Sequence, residues 1–245
     1  MKPILISIAV IAISTVTALA APPKYNTIAD SGQAAPGVAA GGVYSSFSNP
    51  VLNAAGNTAF LSFLTGSGVT STNDRGIWSA GGGSLALVAR EGSAAPGVAA
   101  GGVYSDFGNP VINAAGQTAF SGTFTGTGVD SSNDAGLWAT DINGTTLVVR
   151  EGDLFDVDPN DGVLNKTISG IAFIAVSGGE DGRAMTFNDS GLLAFQLSFT
   201  DSTSGIFTAL VPIPEPAGLL LLTPLAWLIR RAVGKYKISD RSEHS

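Results

Sequence analysis

The chain contains no cysteine. A thiol nucleophile, a disulfide framework and a cysteine-held metal are therefore excluded. Its one histidine is His244, next to the C-terminal Ser245 and beyond an apolar segment. A Ser-His-Asp arrangement within the body of the chain is excluded with it. Charge is sparse, at 13% of residues. Between residues 21 and 211, six basic side chains face sixteen acidic ones, a formal balance of −10. That sign opposes recognition of nucleic acid through its phosphates. It suits a soluble exported protein, and it tolerates divalent cations and neutral glycans.

Glycine, in contrast, is abundant, with 32 residues. High glycine with few charged helix formers suits short strands joined by tight turns. The two ends differ from the middle. Lys2, an apolar run over residues 4–16 and the small residues Ala18 and Ala20 follow the layout of a secretory signal, with Ala21 as the expected mature start. The domain division is then a signal at 1–20, an ectodomain at 21–211, a sorting segment with a short membrane helix at 212–231 and a basic, polar tail at 232–245. The apolar run at 217–229 covers thirteen residues. At about 1.5 Å per residue this is about 20 Å of a hydrocarbon core about 30 Å thick. Arg230 and Arg231 behind it would stay on the cytoplasmic side. A soluble apolar tail is the other reading.

The ectodomain repeats itself. AAPGVAAGGVYS at residues 34–45 returns unchanged at 94–105. Asn53 and Asn113, Phe60 and Phe120, Trp78 and Trp138, and Arg90 and Arg150 are each sixty positions apart. A third copy is degraded, with NDSGLLAF at 188–195 for NAAGNTAF, Gly205-Ile206-Phe207 for Gly76-Ile77-Trp78, and extra residues inserted within 153–185. Period-fixed duplication of this length marks a repeat architecture. The units run at about 33–92, 93–152 and 153–211, each parsed as four strands. In the first unit these are 43–52, 58–65, 76–80 and 85–90.

Asn53 with Gly56, Asn113 with Gly116, and Asn188 with Gly191 fit turns in which the Asn side chain bonds backbone and the Gly takes positive φ. Phe60, Phe120 and Phe195 then enter the core. Residues 24–32, KYNTIADSG, align with 84–92, SLALVAREG, while the third unit lacks that strand. Residues 24–30 are thus expected to complete the last sheet, near Phe207. The expected class is all-β, with tandem four-stranded antiparallel repeats in a small β-propeller-like ring. A three-sheet prism and an open β array are the alternatives.

The C-terminal segment, Pro214-Glu215-Pro216, the apolar stretch and Arg230-Arg231, resembles the sorting signal of PEP-CTERM proteins, substrates of exosortase-type systems in Gram-negative bacteria. The units resemble tandem NxxGxxAF repeats of surface proteins, on Asn53, Gly56, Ala59 and Phe60 and their equivalents. The resemblance implies handling by the export machinery, transient holding in the inner membrane, cleavage near Pro214 by an exosortase-like enzyme, and delivery to the cell surface or an exopolysaccharide matrix.

Chemistry has little to draw on. Asp156, Asp158 and Asn160 have a D-x-D-x-N spacing that can place oxygens around calcium. Gly162 comes one position late, Pro159 stiffens the middle and no Glu closes the loop, so a solvated acidic insertion is the competing reading. Trp78 and Trp138 are candidates for stacking on sugars or for the core. The expectation is a non-enzymatic surface or matrix protein with a structural or adhesive role and no cofactor. A glycan-binding module of the matrix is the alternative.

Overall fold

The computed structural model describes residues 24–99, 101–141, 143–158, 160, 162–174 and 186–213. The signal residues Ala18, Ala20 and Ala21 and the sorting residues Pro214, Glu215, Pro216, Arg230 and Arg231 lie outside the described residues. The described chain is all-β, with three antiparallel sheets and none closed into a barrel.

The first sheet holds β1 (Gly42–Phe47), β2 (Val51–Leu52), β3 (Thr58–Gly66), β4 (Arg75–Ser79) and β5 (Ala86–Arg90), in the order β1-β3-β4-β5 with β2 also on β3. The second repeats it with β6 (Val103–Phe107), β7 (Val111–Ile112), β8 (Thr118–Thr125), β9 (Ala135–Asp141) and β10 (Gly144–Arg150). The third has β11 (Leu154–Asp156), β12 (Asn165–Ala172), β13 (Leu192–Phe199) and β14 (Ser204–Leu210), paired in chain order. The strand expected over 43–52 is divided into β1 and β2. Pro50 lacks the N–H that a continuous ladder needs, and Pro110 does the same in the second sheet between β6 and β7.

Each sheet has an aromatic face and an aliphatic face. In the first, Tyr44, Phe60, Leu64 and Trp78 share one face, and Leu61, Ile77 and Ala89 share the other. The aliphatic face of the first sheet packs on the aromatic face of the second, against Tyr104, Phe107, Phe120 and Trp138. The second sheet offers Ala119, Leu137 and Ala139 to Leu193, Phe195, Leu197 and Phe199 of the third. The repeats are thus successive layers, the second and third sheets each burying their aromatic face under the aliphatic face of the sheet before. Residues of the first and third sheets share no core cluster.

The duplicated AAPGV segment has a clear task. Ala35 and Ala95 are buried, and the indole Nε1–H groups of Trp78 and Trp138 donate to the carbonyls of Pro36 and Pro96, both at 3.0 Å. Both tryptophans are fully buried. The ring also needs the glycine two residues earlier. A Cβ on Gly76 or Gly136 would lie 2.7 or 2.5 Å from that ring, and on Gly205 it would lie 2.8 Å from the Phe207 ring.

Residues 24–30 do not complete the last sheet. They form no strand, and β14 pairs with β13 alone among the described residues. The reason is placement. The Gly32 N–H donates to the Tyr44 carbonyl at 2.8 Å, Ala34 bridges to Val43, and Ala29 packs on the first core cluster. This anchors the segment to the first sheet, with the second sheet between it and the third. Within one chain the array is therefore open.

Candidate functional site

The three NxxGxxAF turns come together across the layers. In the first, the Asn53 side-chain oxygen accepts the Asn57 N–H at 2.8 Å, the Gly56 N–H donates to the Asn53 carbonyl, and Gly56 has φ +82°. The same geometry recurs at Asn113, whose Oδ1 accepts the Gln117 N–H at 2.9 Å, and at Asn188, whose Oδ1 accepts the Leu192 N–H at 2.9 Å.

The side-chain nitrogens do something further. Asn53 Nδ2 donates to the Asn113 carbonyl at 2.8 Å, and Asn113 Nδ2 donates to the Asn188 carbonyl at 2.9 Å. The asparagines form a ladder from repeat to repeat, buried at Asn53 and Asn113. The glycines differ in role. A Cβ on Gly56 would meet nothing within 4 Å, whereas one on Gly116 would lie 2.2 Å from the Gly81 carbonyl oxygen and one on Gly191 2.3 Å from that of Val211. Gly56 supplies backbone conformation; Gly116 and Gly191 also permit close approach of a neighbouring segment.

Gln117 extends the ladder to the end of the described chain. It is buried, and its Nε2 donates to the carbonyls of Val211 at 3.2 Å and Pro212 at 2.9 Å. It also sits beside Asn113, whose Nδ2 donates to Gln117 Oε1 at 2.9 Å. The exit segment Val211-Pro212 is therefore clasped by Gln117 and Gly191 just before Pro214. Sequence reasoning missed this role. The available signal was the replacement of Asn57 by the longer Gln117 at the same repeat position.

Clefts open between the layers. One, of about 410 Å³, lies between the first two sheets and includes Ser79, Ser84, Gln117, Thr140 and Asp141. Another, of about 430 Å³, lies between the last two and includes Asn133, Arg150, Glu151, Thr167 and Thr200. Trp78 and Trp138 reach neither cleft, being sealed in the cores. Glu91 accepts the Asp74 N–H at 3.2 Å, and burial, aided by the Asp74 carboxylate, pushes its carboxyl above the usual range. Glu151 is raised by burial and by Asp134. A raised carboxyl is one half of an acid–base device, yet these two hold duplicated positions where one sheet turns into the next, which ties them to the repeat.

Asp156 closes a turn. Its Oδ1 accepts the N–H groups of Asp158 and Leu164, both at 3.1 Å. Among the described residues no group of three or more acidic, histidine or cysteine side chains is placed to hold a metal. The bonds made by the Asp156 side chain are to backbone N–H groups of its own loop. Among the described residues, too, no helix is long and apolar enough to cross a membrane.

No curated protein and no solved structure matches the chain. A family model does match, over residues 14–220, which takes in all of the repeats and part of each flank. The chain belongs to that family, DUF7453, a family of unknown function.

Proposed function

We propose that the chain is an exported, C-terminally sorted or anchored protein of the cell surface or extracellular matrix, with a structural or adhesive role and no enzymatic one. The observation that carries the reading is the clasped exit. Gln117 and Gly191 hold Val211 and Pro212, just past the last described strand, against the repeats. A processing enzyme acting at Pro214-Glu215-Pro216 would then act two residues beyond the clasped Pro212. The PEP-CTERM resemblance supplies the route, through the export machinery and an exosortase-like enzyme. The layered repeats supply a stiff, acidic body suited to a scaffold.

The test is the intact mass of the protein recovered separately from membranes and medium. A C-terminus near Pro214 in the medium fraction is expected. Only full-length chain ending at Ser245, retained in the membrane, would replace sorting by simple anchoring, and unprocessed chain in the cytosol would end the proposal.

The clefts between layers favour a second reading, a glycan-binding module of an exopolysaccharide matrix. Its contacts would be the hydroxyl and carboxylate groups of the cleft, with Asp141 central, because the tryptophans are sealed away. Reproducible binding on a glycan array that is lost on Asp141→Asn supports it; no binding to any glycan removes it.

A further inference from the structure

We propose that copies of this chain join head to tail, residues 24–30 of one copy pairing with the open edge of β14 in a second copy. The first observation is a missing partner. In the first sheet β4 is flanked by β3 and β5, and in the second β9 is flanked by β8 and β10. In the third, β14 holds the same position with β13 on one side and no described strand on the other. Its sequence, SGIFTAL, has no charge and no proline. Such an edge is a template for an added strand.

The second observation is that the chain carries the matching strand. Residues 24–32 align with 84–92, which contain β5, and both stretches run on into the same AAPGV. Residues 24–28 are exposed, Tyr25 at 88%. Their own third sheet is out of reach behind the second.

The faces match as well as the edges. At the inner junction Ile77 and Leu61 cover Phe107, which is 8% exposed. At the outer ends the corresponding side chains are more exposed among the described residues. Ile206, the counterpart of Ile77, is 74% exposed, and Phe47, the counterpart of Phe107, is 40% exposed. Phe47 lines a cavity of about 200 Å³ with Ile28, Pro50 and Phe60. The asparagine ladder stops at Asn188 only because the repeats do. A second copy seated on the third sheet presents the Asn53 carbonyl where Asn113 and Asn188 present theirs.

The register follows from β4 and β5, where Ile77 faces Ala89 and Ser79 faces Ala86. By the same pairing Ile206 faces Ala29, and Thr208 faces Asn26, of the second copy. Gln196 and Ser198 stand where the first sheet has Leu61 and Phe63, so this junction is weaker than the internal ones and reversible. A head-to-tail contact makes a ring if the rotation closes and a filament if it does not. The inference deepens the structural role proposed above and rests on it for its biological setting. The mass of the processed chain tests sorting alone, and the experiment below tests pairing alone.

The absence of cysteine makes disulfide trapping clean, since facing strand positions lie within disulfide reach. Two differently tagged full-length chains, one carrying Asn26→Cys and the other Thr208→Cys, are co-produced in an exporting host and the membranes oxidised. A mixed dimer carrying both tags is expected, lost on reduction and lost in excess synthetic peptide of residues 24–32. Asn26→Cys with Thr72→Cys, an exposed loop position, sets the random background. The double variant Asn26→Cys/Thr208→Cys gives an open-ended ladder for a filament or a ladder ending at one covalent oligomer for a ring, and either supports the junction. The proposal is overturned by a mixed dimer no stronger than background, by an internally crosslinked monomer, or by a Thr208→Cys thiol shielded from maleimide without crosslinking, which would place another segment of the same chain on that edge.

Discussion

Exchanging Asn113 for Asp separates the turn from the ladder. The Asn113 Oδ1 accepts the Gln117 N–H, and an aspartate keeps that acceptor. The Nδ2 donates to Gln117 Oε1 and to the Asn188 carbonyl, and an aspartate puts a second acceptor there instead. If Asn113 served its own turn alone, Asn113→Asp would be nearly neutral, because Asp suits such turns as well as Asn does. With the ladder, two hydrogen bonds worth about 1 kcal/mol each are lost. A carboxylate is also set against two oxygens at a site only 1% exposed, and the total reaches about 4 kcal/mol or more. Asn113→Ala loses all three side-chain bonds and costs about 3 to 4 kcal/mol. Asn53→Asp loses one donor, about 1 to 2 kcal/mol. Asn188→Asp keeps the oxygen that accepts the Ser190 and Leu192 N–H groups and changes stability by less than about 1 kcal/mol. Urea unfolding followed by tryptophan fluorescence reads all four, since Trp78 and Trp138 sit in successive cores. The Asn113→Asp loss should also shrink on acidification, as the carboxyl regains a proton to donate. Equal, small effects for Asp at all three positions would refute the ladder as a stabilising element.

Other consequences separate along the same lines. Gly56→Ala should cost about 1 to 2 kcal/mol from positive φ alone, whereas Gly116→Ala, which also meets the Gly81 carbonyl, should cost clearly more; equal melting shifts would show that the close approach relaxes freely. Tyr104 buries a hydroxyl with no partner among the described residues, so Tyr104→Phe should leave stability unchanged or raise it by about 1 kcal/mol in urea titration, and a marked loss would mean a bonded hydroxyl. The pH dependence has two signs. Glu91 and Glu151 have folded pKa values above the ordinary 4.5, so the fold binds their protons more tightly and stability rises as pH falls from neutral through the raised values. Asp201, held to about 2 by Lys166 and Thr203, contributes above its ordinary 3.8 and loses that contribution as pH falls toward 2. Melting temperature should therefore pass through a maximum in mild acid, and Glu91→Gln with Glu151→Gln should flatten its neutral side.

Much of the fold was legible because it is written twice. Identity at a sixty-residue offset fixes the unit, and Trp78, Trp138 and Phe207 mark one place in each sheet. The split between β1 and β2 at Pro50 was legible in principle from the missing N–H and was overridden by a run of strand formers. The placement of residues 24–30 was not legible. Alignment identifies which strand a segment resembles; it carries no information about which copy of the sheet lies within reach. That depends on the layers stacking in one direction, a consequence of Leu61 and Ile77 meeting Phe120 and Trp138 rather than of any local pattern.

The site divides the same way. A turn is local, so Asn53, Asn113 and Asn188 announce it through their spacing to Gly56, Gly116 and Gly191. The ladder joins residues 60 and 75 positions apart, and each asparagine has one spare donor whether or not a neighbour stands above it. Only the layer spacing decides, and each layer is about 10 Å deep. Gln117 shows how the two levels meet. It keeps the backbone bond that Asn57 makes, and its extra methylene carries the amide across to Val211 and Pro212. If that reach is what holds the exit, Gln117→Asn should restore the first-repeat residue, leave the Asn113 turn intact, and release residues 211–213. Hydrogen exchange should then rise at Val211 and Ile213 with no change at Phe120. Unaltered protection at Val211 would mean that Gly191 clasps the exit alone, through the Val211 N–H donating to its carbonyl at 2.8 Å.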